Sequence, residues 1–132
     1  MKMAEILVVE DSPADRELLS LFFERNNFCN QLHYAHSAEA AERMLRLHDI
    51  DLMICDVNLP DDSGIALAQR VNAAREVPMP IVCLSGITNI EVLNRAERAS
   101  IIAFIEKPLN LNLLNELMRK LDFMYLGLML KY

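Results

Sequence analysis

Residues 52–56 read LMICD, four apolar residues followed by an aspartate, and this stretch decides how the fold is interpreted. A continuous apolar run of this length is typical of a strand covered on both faces, because a half-buried strand would alternate apolar and polar residues. Similar runs lie at residues 6–9, 81–84 and 101–105, and a weaker one lies around 32–35. The sequence therefore predicts five short strands.

Stretches of helical length separate these runs. Ser12 followed by Pro13 and Asp15 offers an N-cap, a proline at the first helical position and an acid three residues after the cap. We expect strands β1 to β5 near residues 5–9, 31–35, 51–55, 80–84 and 101–105, with helices in the intervals and a fifth helix from about 110 to 130. This alternation predicts an α/β fold, a doubly wound five-stranded parallel sheet in the order 2-1-3-4-5 with helices on both faces.

Composition and charge narrow the class of protein. A length of 132 residues suits one domain with a single core, and 53% hydrophobic residues argue against disorder. The net charge of −6 argues against a surface that mainly binds nucleic acid or anionic lipid, because both need clustered basic residues. No secretory signal opens the sequence, and no apolar run approaches the roughly 18 residues of a membrane span. We expect one cytoplasmic domain over residues 1–132, without an effector domain.

Polar residues stand at the carboxyl end of each strong strand. Glu10 and Asp11 follow β1, Asp56 follows β3, Ser85 follows β4 and Lys107 follows β5. In a parallel sheet these ends share one edge, and open α/β sheets bind ligands there, beside the point where the strand order reverses. Because β1 and β3 flank that point, their three carboxylates should converge.

Such a cluster of carboxylates needs a cation, because close carboxylates repel one another and raise their own pKa values. Oxygen ligands without sulfur suit a hard ion, and Mg²⁺ fits best. Lys107 and the Ser85 hydroxyl would add a positive charge and a donor of the kind that stabilises a phosphoryl group in transfer. Asp56 is then the natural nucleophile, since a carboxylate can form an acyl phosphate.

Taken together, these motifs resemble the receiver domains of response regulators in two-component systems, over essentially the whole chain. The matching residues are Glu10-Asp11, Asp56-Val57-Asn58-Leu59-Pro60, Gly64, Ser85-Gly86 and Phe104-Ile105-Glu106-Lys107-Pro108. Each motif alone is a weak signal, but four in the correct order at the ends of predicted strands are specific. The resemblance implies a flavodoxin-like (βα)5 fold and a CheY-like single-domain regulator.

The resemblance also implies which residues bind the cation and the phosphoryl group. Asp56 would be the phosphoacceptor. Asp11 and Asp56 would bind Mg²⁺ directly, and the Asn58 backbone carbonyl would be a third ligand. Glu10 would act on the ion through water.

Further roles concern phosphoryl contacts and switching. Lys107 would pair with Asp56 and then with the phosphoryl group, and its bond to Pro108 would be cis. Ser85 would bind a phosphoryl oxygen and, with Phe104, form a switch between two states. Phe104 lacks the phenolic oxygen of tyrosine, so its switching would depend on ring packing.

Three functions from different classes are compatible with these residues. The first is a phosphoacceptor that takes phosphate from a histidine kinase or a histidine phosphotransfer protein. It would bind a downstream protein through its α4–β5–α5 face, the fourth and fifth predicted helices with β5, and would not be an enzyme. The second is a phosphorylation-independent pseudo-receiver, which the intact Asp56 and Lys107 disfavour. The third is an aspartyl phosphatase, which Asn58 disfavours because such enzymes usually carry a second aspartate there.

Residues 123–130, FMYLGLML, form an apolar segment near the end of the chain. One interpretation is a longer C-terminal helix that covers its own domain. The other is a surface for a homodimer or a partner protein, because monomers rarely expose such patches. The segment is too short to cross a membrane.

Two other groups of polar residues are interpreted as structural. The first should cap the third helix and comprises Asp61, Asp62 and Ser63. The second lacks the spacing of a metal site and should lie at or near the surface; it comprises His33, His36 and His48.

Overall fold

The computed structural model describes residues 4–26, 29–86 and 101–121. Its strands are β1 (Ala4–Val9), β2 (Cys29–Ala35), β3 (Leu52–Asp56), β4 (Ile81–Ser85) and β5 (Ala103–Glu106). Its helices are α1 (Pro13–Asn26), α2 (Ala38–Leu47), α3 (Gly64–Ala73) and the final helix (Leu111–Leu121). The fourth predicted helix and the apolar segment 123–130 lie outside these residues.

The five strands form one parallel sheet in the order β2-β1-β3-β4-β5, so the predicted fold class and strand order are confirmed. Every residue of β3 and β4 is buried. Because successive residues of a strand point to opposite faces, each strand supplies two cores. Leu7 and Met53 pack under α2 and α3, whereas Ile6 and Ile54 pack under α1 and the final helix.

Serine side chains cap the first turns of three helices. The Ser12 hydroxyl accepts a hydrogen bond from the Asp15 amide at 3.4 Å at the start of α1. Ser37 and Ser63 cap α2 and α3 in the same way. These caps satisfy backbone amides that a helix start leaves unpaired. None of the described helices is long and apolar enough to cross a membrane.

Asp61 does not cap α3, so this part of the capping prediction is wrong. Its two carboxylate oxygens accept hydrogen bonds from the amides of Ala38 at 2.8 Å and Glu39 at 3.0 Å, at the start of α2. A helix start attracts a carboxylate because its free amides carry partial positive charge. The loop between β3 and α3 is thereby fastened to the neighbouring helix.

Replacement of Asp61 by alanine should destabilise the fold in a way that depends on pH. The hydrogen bonds from the amides of Ala38 and Glu39 lower the pKa of Asp61. Its stabilising effect is therefore present above the unfolded-state pKa of about 4 and is lost as the pH falls through the lower folded-state pKa. We expect Asp61→Ala to lower the melting temperature at neutral pH and to differ less from wild type below about pH 4.

Thermal unfolding followed by circular dichroism at a series of pH values measures this difference. Asp49→Ala is the control, because Asp49 is also exposed and its replacement removes the same charge. An Asp61→Ala deficit that stays constant down to about pH 3 would show that the carboxylate does not carry the effect.

His33 is buried, so the expectation that it lies at or near the surface is wrong. Its Nε2 atom lies 3.3 Å from a carboxylate oxygen of Glu5, and its ring stacks on that of His48 with centroids 4.3 Å apart. His36 and His48 are more exposed. Glu5 lies near the amino end of β1, at the opposite end of that strand from Glu10.

Candidate functional site

The carboxyl edge of the sheet brings together residues that are far apart in sequence. Glu10 and Asp11 follow β1 and Asp56 ends β3, and carboxylate oxygens of all three lie within 4.8 Å of one another. Lys107 follows β5, and its Nζ atom lies 2.7 Å from Asp56 Oδ2. Ser85 ends β4 and is buried. The predicted convergence at this edge is therefore present.

The Asp56 carboxylate is held by one contact on each oxygen. Oδ1 accepts a hydrogen bond from the Asn58 amide at 2.8 Å, and Oδ2 accepts one from Lys107 Nζ. The Asp56 side chain is only 9% exposed. The same hydrogen bond holds the backbone of Asn58 beside Asp56, and the Asn58 carbonyl is the predicted third metal ligand.

Gly64 packs directly against the backbone of Asp56. A Cβ atom at position 64 would overlap the Asp56 carbonyl oxygen and would lie 2.9 Å from Cys55 Sγ. The Gly64 amide donates to the Val57 carbonyl at 2.7 Å, which keeps the start of α3 close to the end of β3. The absence of a side chain at this position lets the loop close next to Asp56.

Glu10 is buried and has a contact on each carboxylate oxygen. Oε1 accepts from the Ser12 amide at 3.0 Å, and Oε2 accepts from Lys107 Nζ at 2.9 Å. Burial raises the pKa of Glu10 to about 7, against the opposing effect of the hydrogen bond from Lys107. A cation beside this carboxylate would favour its ionised form.

Lys107 is surrounded by three carboxylates. Its Nζ atom lies 2.9 Å from Glu10, 2.8 Å from Asp15 and 2.7 Å from Asp56. Burial lowers the pKa of Lys107, but the hydrogen bonds to Asp15, Asp56 and Glu10 outweigh burial and keep the pKa above its ordinary value. The lysine is therefore charged at neutral pH. Its peptide bond to Pro108 is cis, as expected.

Asp15 is a site residue that the sequence analysis missed. An acid in the first turn of a helix is explained by capping and by the helix dipole, so Asp15 drew no further interpretation. Asp15 lies in the first turn of α1, which begins at Pro13, shortly after the carboxyl end of β1. The first turn of α1 can thus place Asp15 at the same edge of the sheet as Glu10 and Asp11.

The donor set fits a hard divalent cation. Glu10, Asp11 and Asp56 offer oxygen atoms, and Asp11 is exposed, which leaves room for retained water. Burial raises the pKa of Cys83 to about 12 and raises that of Cys55 as well, so neither thiol ionises to compete as a soft ligand. Mg²⁺ prefers oxygen ligands and keeps part of its hydration shell. These residues therefore fit Mg²⁺.

The predicted switch residues lie on neighbouring strands. Phe104 pairs in register with Cys83, and Ser85 pairs with Glu106. Phe104 is partly buried against the core under α2 and α3. The switching roles of Ser85 and Phe104 stay predictions, because they concern a change between two states.

A doubly wound sheet with an acidic pair, an aspartate and a lysine at its carboxyl edge is the arrangement of a receiver domain. The chain belongs to the response regulator receiver domain family, whose model matches residues 6–119. This result confirms the resemblance described above.

Relatives and solved structures agree with this assignment. Protein-glutamate methylesterase/protein-glutamine glutaminase 1 of Syntrophus aciditrophicus is 37% identical over 110 residues, which are 80% of this chain and 31% of that protein. The probable methanogenesis regulatory protein FilR2 of Methanothrix harundinacea is 29% identical over 129 residues, 92% of this chain and 83% of that protein. The crystal structure of the signal receiver domain of a signal transduction histidine kinase from Syntrophus aciditrophicus has a TM-score of 0.79 and 28% identity and covers 89% of both chains. This chain thus spans under a third of the methylesterase relative.

Proposed function

We propose that this chain is a phosphoacceptor that is phosphorylated on Asp56 and signals by binding other proteins. The observation that carries the proposal is the meeting of Lys107 Nζ with the Asp56 carboxylate at 2.7 Å, beside the acidic pair Glu10 and Asp11. Lys107 brings one positive charge to the three carboxylates of the cluster, so a divalent cation would neutralise the site further.

In the proposed reaction, a carboxylate oxygen of Asp56 attacks the phosphorus atom of the donor. A phosphorus–oxygen bond forms, the bond from phosphorus to the donor histidine nitrogen breaks, and the donor leaves with that electron pair. Lys107 then donates to a phosphoryl oxygen, and the Ser85 hydroxyl is proposed as a second donor. Bound Mg²⁺ would supply positive charge to the phosphoryl oxygens.

The proposed ligands of the ion are Asp11, Asp56 and the Asn58 carbonyl, with Glu10 acting through water. The oxygen-only donor set supports this assignment.

The proposed partners are a histidine kinase or a histidine phosphotransfer protein and a downstream protein. That protein would bind the face formed by the fourth predicted helix, β5 and the final helix, with Phe104 in β5 as part of the switch. Receiver domains are in general not enzymes, and we propose that this one acts on no external substrate. A cytoplasmic location, the absence of an effector domain and a homodimer through residues 123–130 stay predictions.

Incubation with acetyl phosphate and Mg²⁺, followed by intact mass measurement, tests the proposal. We expect one added phosphoryl group that requires Mg²⁺ and is absent from Asp56→Asn. Asp51→Asn is a matched control. Asp51 precedes β3, and its carboxylate accepts a hydrogen bond from the Glu5 amide at 2.8 Å, away from the acidic cluster. A chain that gains no phosphoryl group would be a pseudo-receiver, and sustained release of phosphate without an adduct would indicate a phosphatase.

A further inference from the structure

Asp15 gives Lys107 a carboxylate partner beyond the residues of the family motifs. Its Oδ2 atom lies 2.8 Å from Lys107 Nζ, as close as the oxygens of Glu10 and Asp56 do. Asp15 lies in the first turn of α1, where the Ser12 hydroxyl accepts a hydrogen bond from its amide, so its backbone is fixed. Its side chain is 23% exposed, whereas that of Glu10 is fully buried.

The ammonium of Lys107 is shared among three carboxylates. A lysine ammonium has three N–H groups, and three carboxylates contact Nζ. A phosphoryl group on Asp56 would have to compete with Asp15 and Glu10 for these donors. The contact with Asp15 would then draw the ammonium towards the first turn of α1 and weaken what Lys107 can offer to a phosphoryl oxygen.

The negative charge of Asp15 would also oppose a phosphoryl group on Asp56. Glu10, Asp15 and Asp56 contact Lys107, and Asp11 lies in the same acidic cluster as Glu10 and Asp56. A nearby carboxylate attracts a divalent cation and repels the extra negative charge that a phosphoryl group brings. Because Asp15 and Asp56 contact the same nitrogen atom, both effects operate at short range.

We propose that Asp15 is a positioning residue that tunes the site, favouring the bound cation and opposing the bound phosphoryl group through its hold on Lys107. This inference rests on the proposed function, since it assumes that Asp56 carries the phosphoryl group. A merely structural role for Asp15 would move both affinities in one direction, whereas this role moves them in opposite directions.

Calorimetric titration of the whole chain tests the inference, first with Mg²⁺ and then with beryllofluoride at saturating Mg²⁺. Beryllofluoride binds a carboxylate oxygen as a phosphoryl group does. The variant is Asp15→Asn, which keeps the shape and removes the charge. We expect its Mg²⁺ affinity to fall about threefold to tenfold and its beryllofluoride affinity to rise by a similar factor.

Glu17→Gln is the matched control, because Glu17 is an exposed carboxylate two residues further along α1 and its loss changes the net charge equally. We expect it to move either affinity by less than about twofold. If Asp15→Asn shifts neither affinity, lowers both, or matches Glu17→Gln, this inference alone is overturned. A wild-type chain that binds Mg²⁺ but no beryllofluoride overturns both the proposed function and the inference.

Discussion

Replacement of Gly64 by alanine is expected to lower the free energy of unfolding by about 2–3 kcal/mol. The added Cβ would overlap the Asp56 carbonyl oxygen, which is backbone at the end of a buried strand and has no room to move. The overlap can be relieved only if the loop after β3 or the start of α3 shifts. Because that shift moves Asp56 relative to Lys107, we also expect slower phosphorylation.

Urea unfolding measures the stability part of this prediction, and Gly86→Ala is its control. Among the residues that the structure describes, a Cβ atom on Gly86 would meet nothing within 4 Å, so its replacement should change stability by no more than about 0.5 kcal/mol. Equal losses in the two variants would mean that the close approach of Gly64 to Asp56 has no energetic consequence.

Replacement of Lys107 by methionine is expected to slow phosphorylation by acetyl phosphate about 10²–10³-fold. Methionine has a similar length but no charge, so the Asp56 carboxylate and the incoming phosphoryl oxygens lose their fixed positive partner. Weaker Mg²⁺ binding should not explain the slower phosphorylation. The carboxylates of Glu10 and Asp56 remain, and removal of a positive charge favours Mg²⁺ binding.

The rate of phosphoryl incorporation, followed by intact mass at saturating Mg²⁺, gives the size of this effect. Lys120→Met is the control, because Lys120 is exposed on the final helix and its replacement removes the same charge elsewhere. A Lys107→Met rate within about threefold of wild type would remove Lys107 from the chemistry.

The sheet and its strand order could be predicted because local runs of apolar residues indicate which strands are buried. Uninterrupted runs such as 52–55 and 81–84 indicate strands covered on both faces, and the residues after them mark the carboxyl edge. Strand ends differed slightly from expectation, since Asp56 and Ser85 are the last residues of β3 and β4 and do not follow them. Boundaries depend on backbone pairing that side-chain patterns specify weakly.

Contacts between distant polar residues were the part that sequence patterns did not reveal. Asp15 and Asp61 each satisfy a local rule, as a first-turn acid and as an acid before a helix. Their actual partners, Lys107 and the start of α2, lie across the fold and leave no periodic signal. His33 is similar, because its partner Glu5 lies in the neighbouring strand.

Chemical location of the phosphoryl group is the most direct test of the central claim. After reaction with acetyl phosphate and Mg²⁺, borohydride reduces an acyl phosphate of aspartate to homoserine, which peptide mass spectrometry can assign to one position. Phosphorylation on Asp56 predicts homoserine at position 56 in the wild-type chain and none without Mg²⁺. Homoserine at Asp11 or at another aspartate, with Asp56 unmodified, would contradict it.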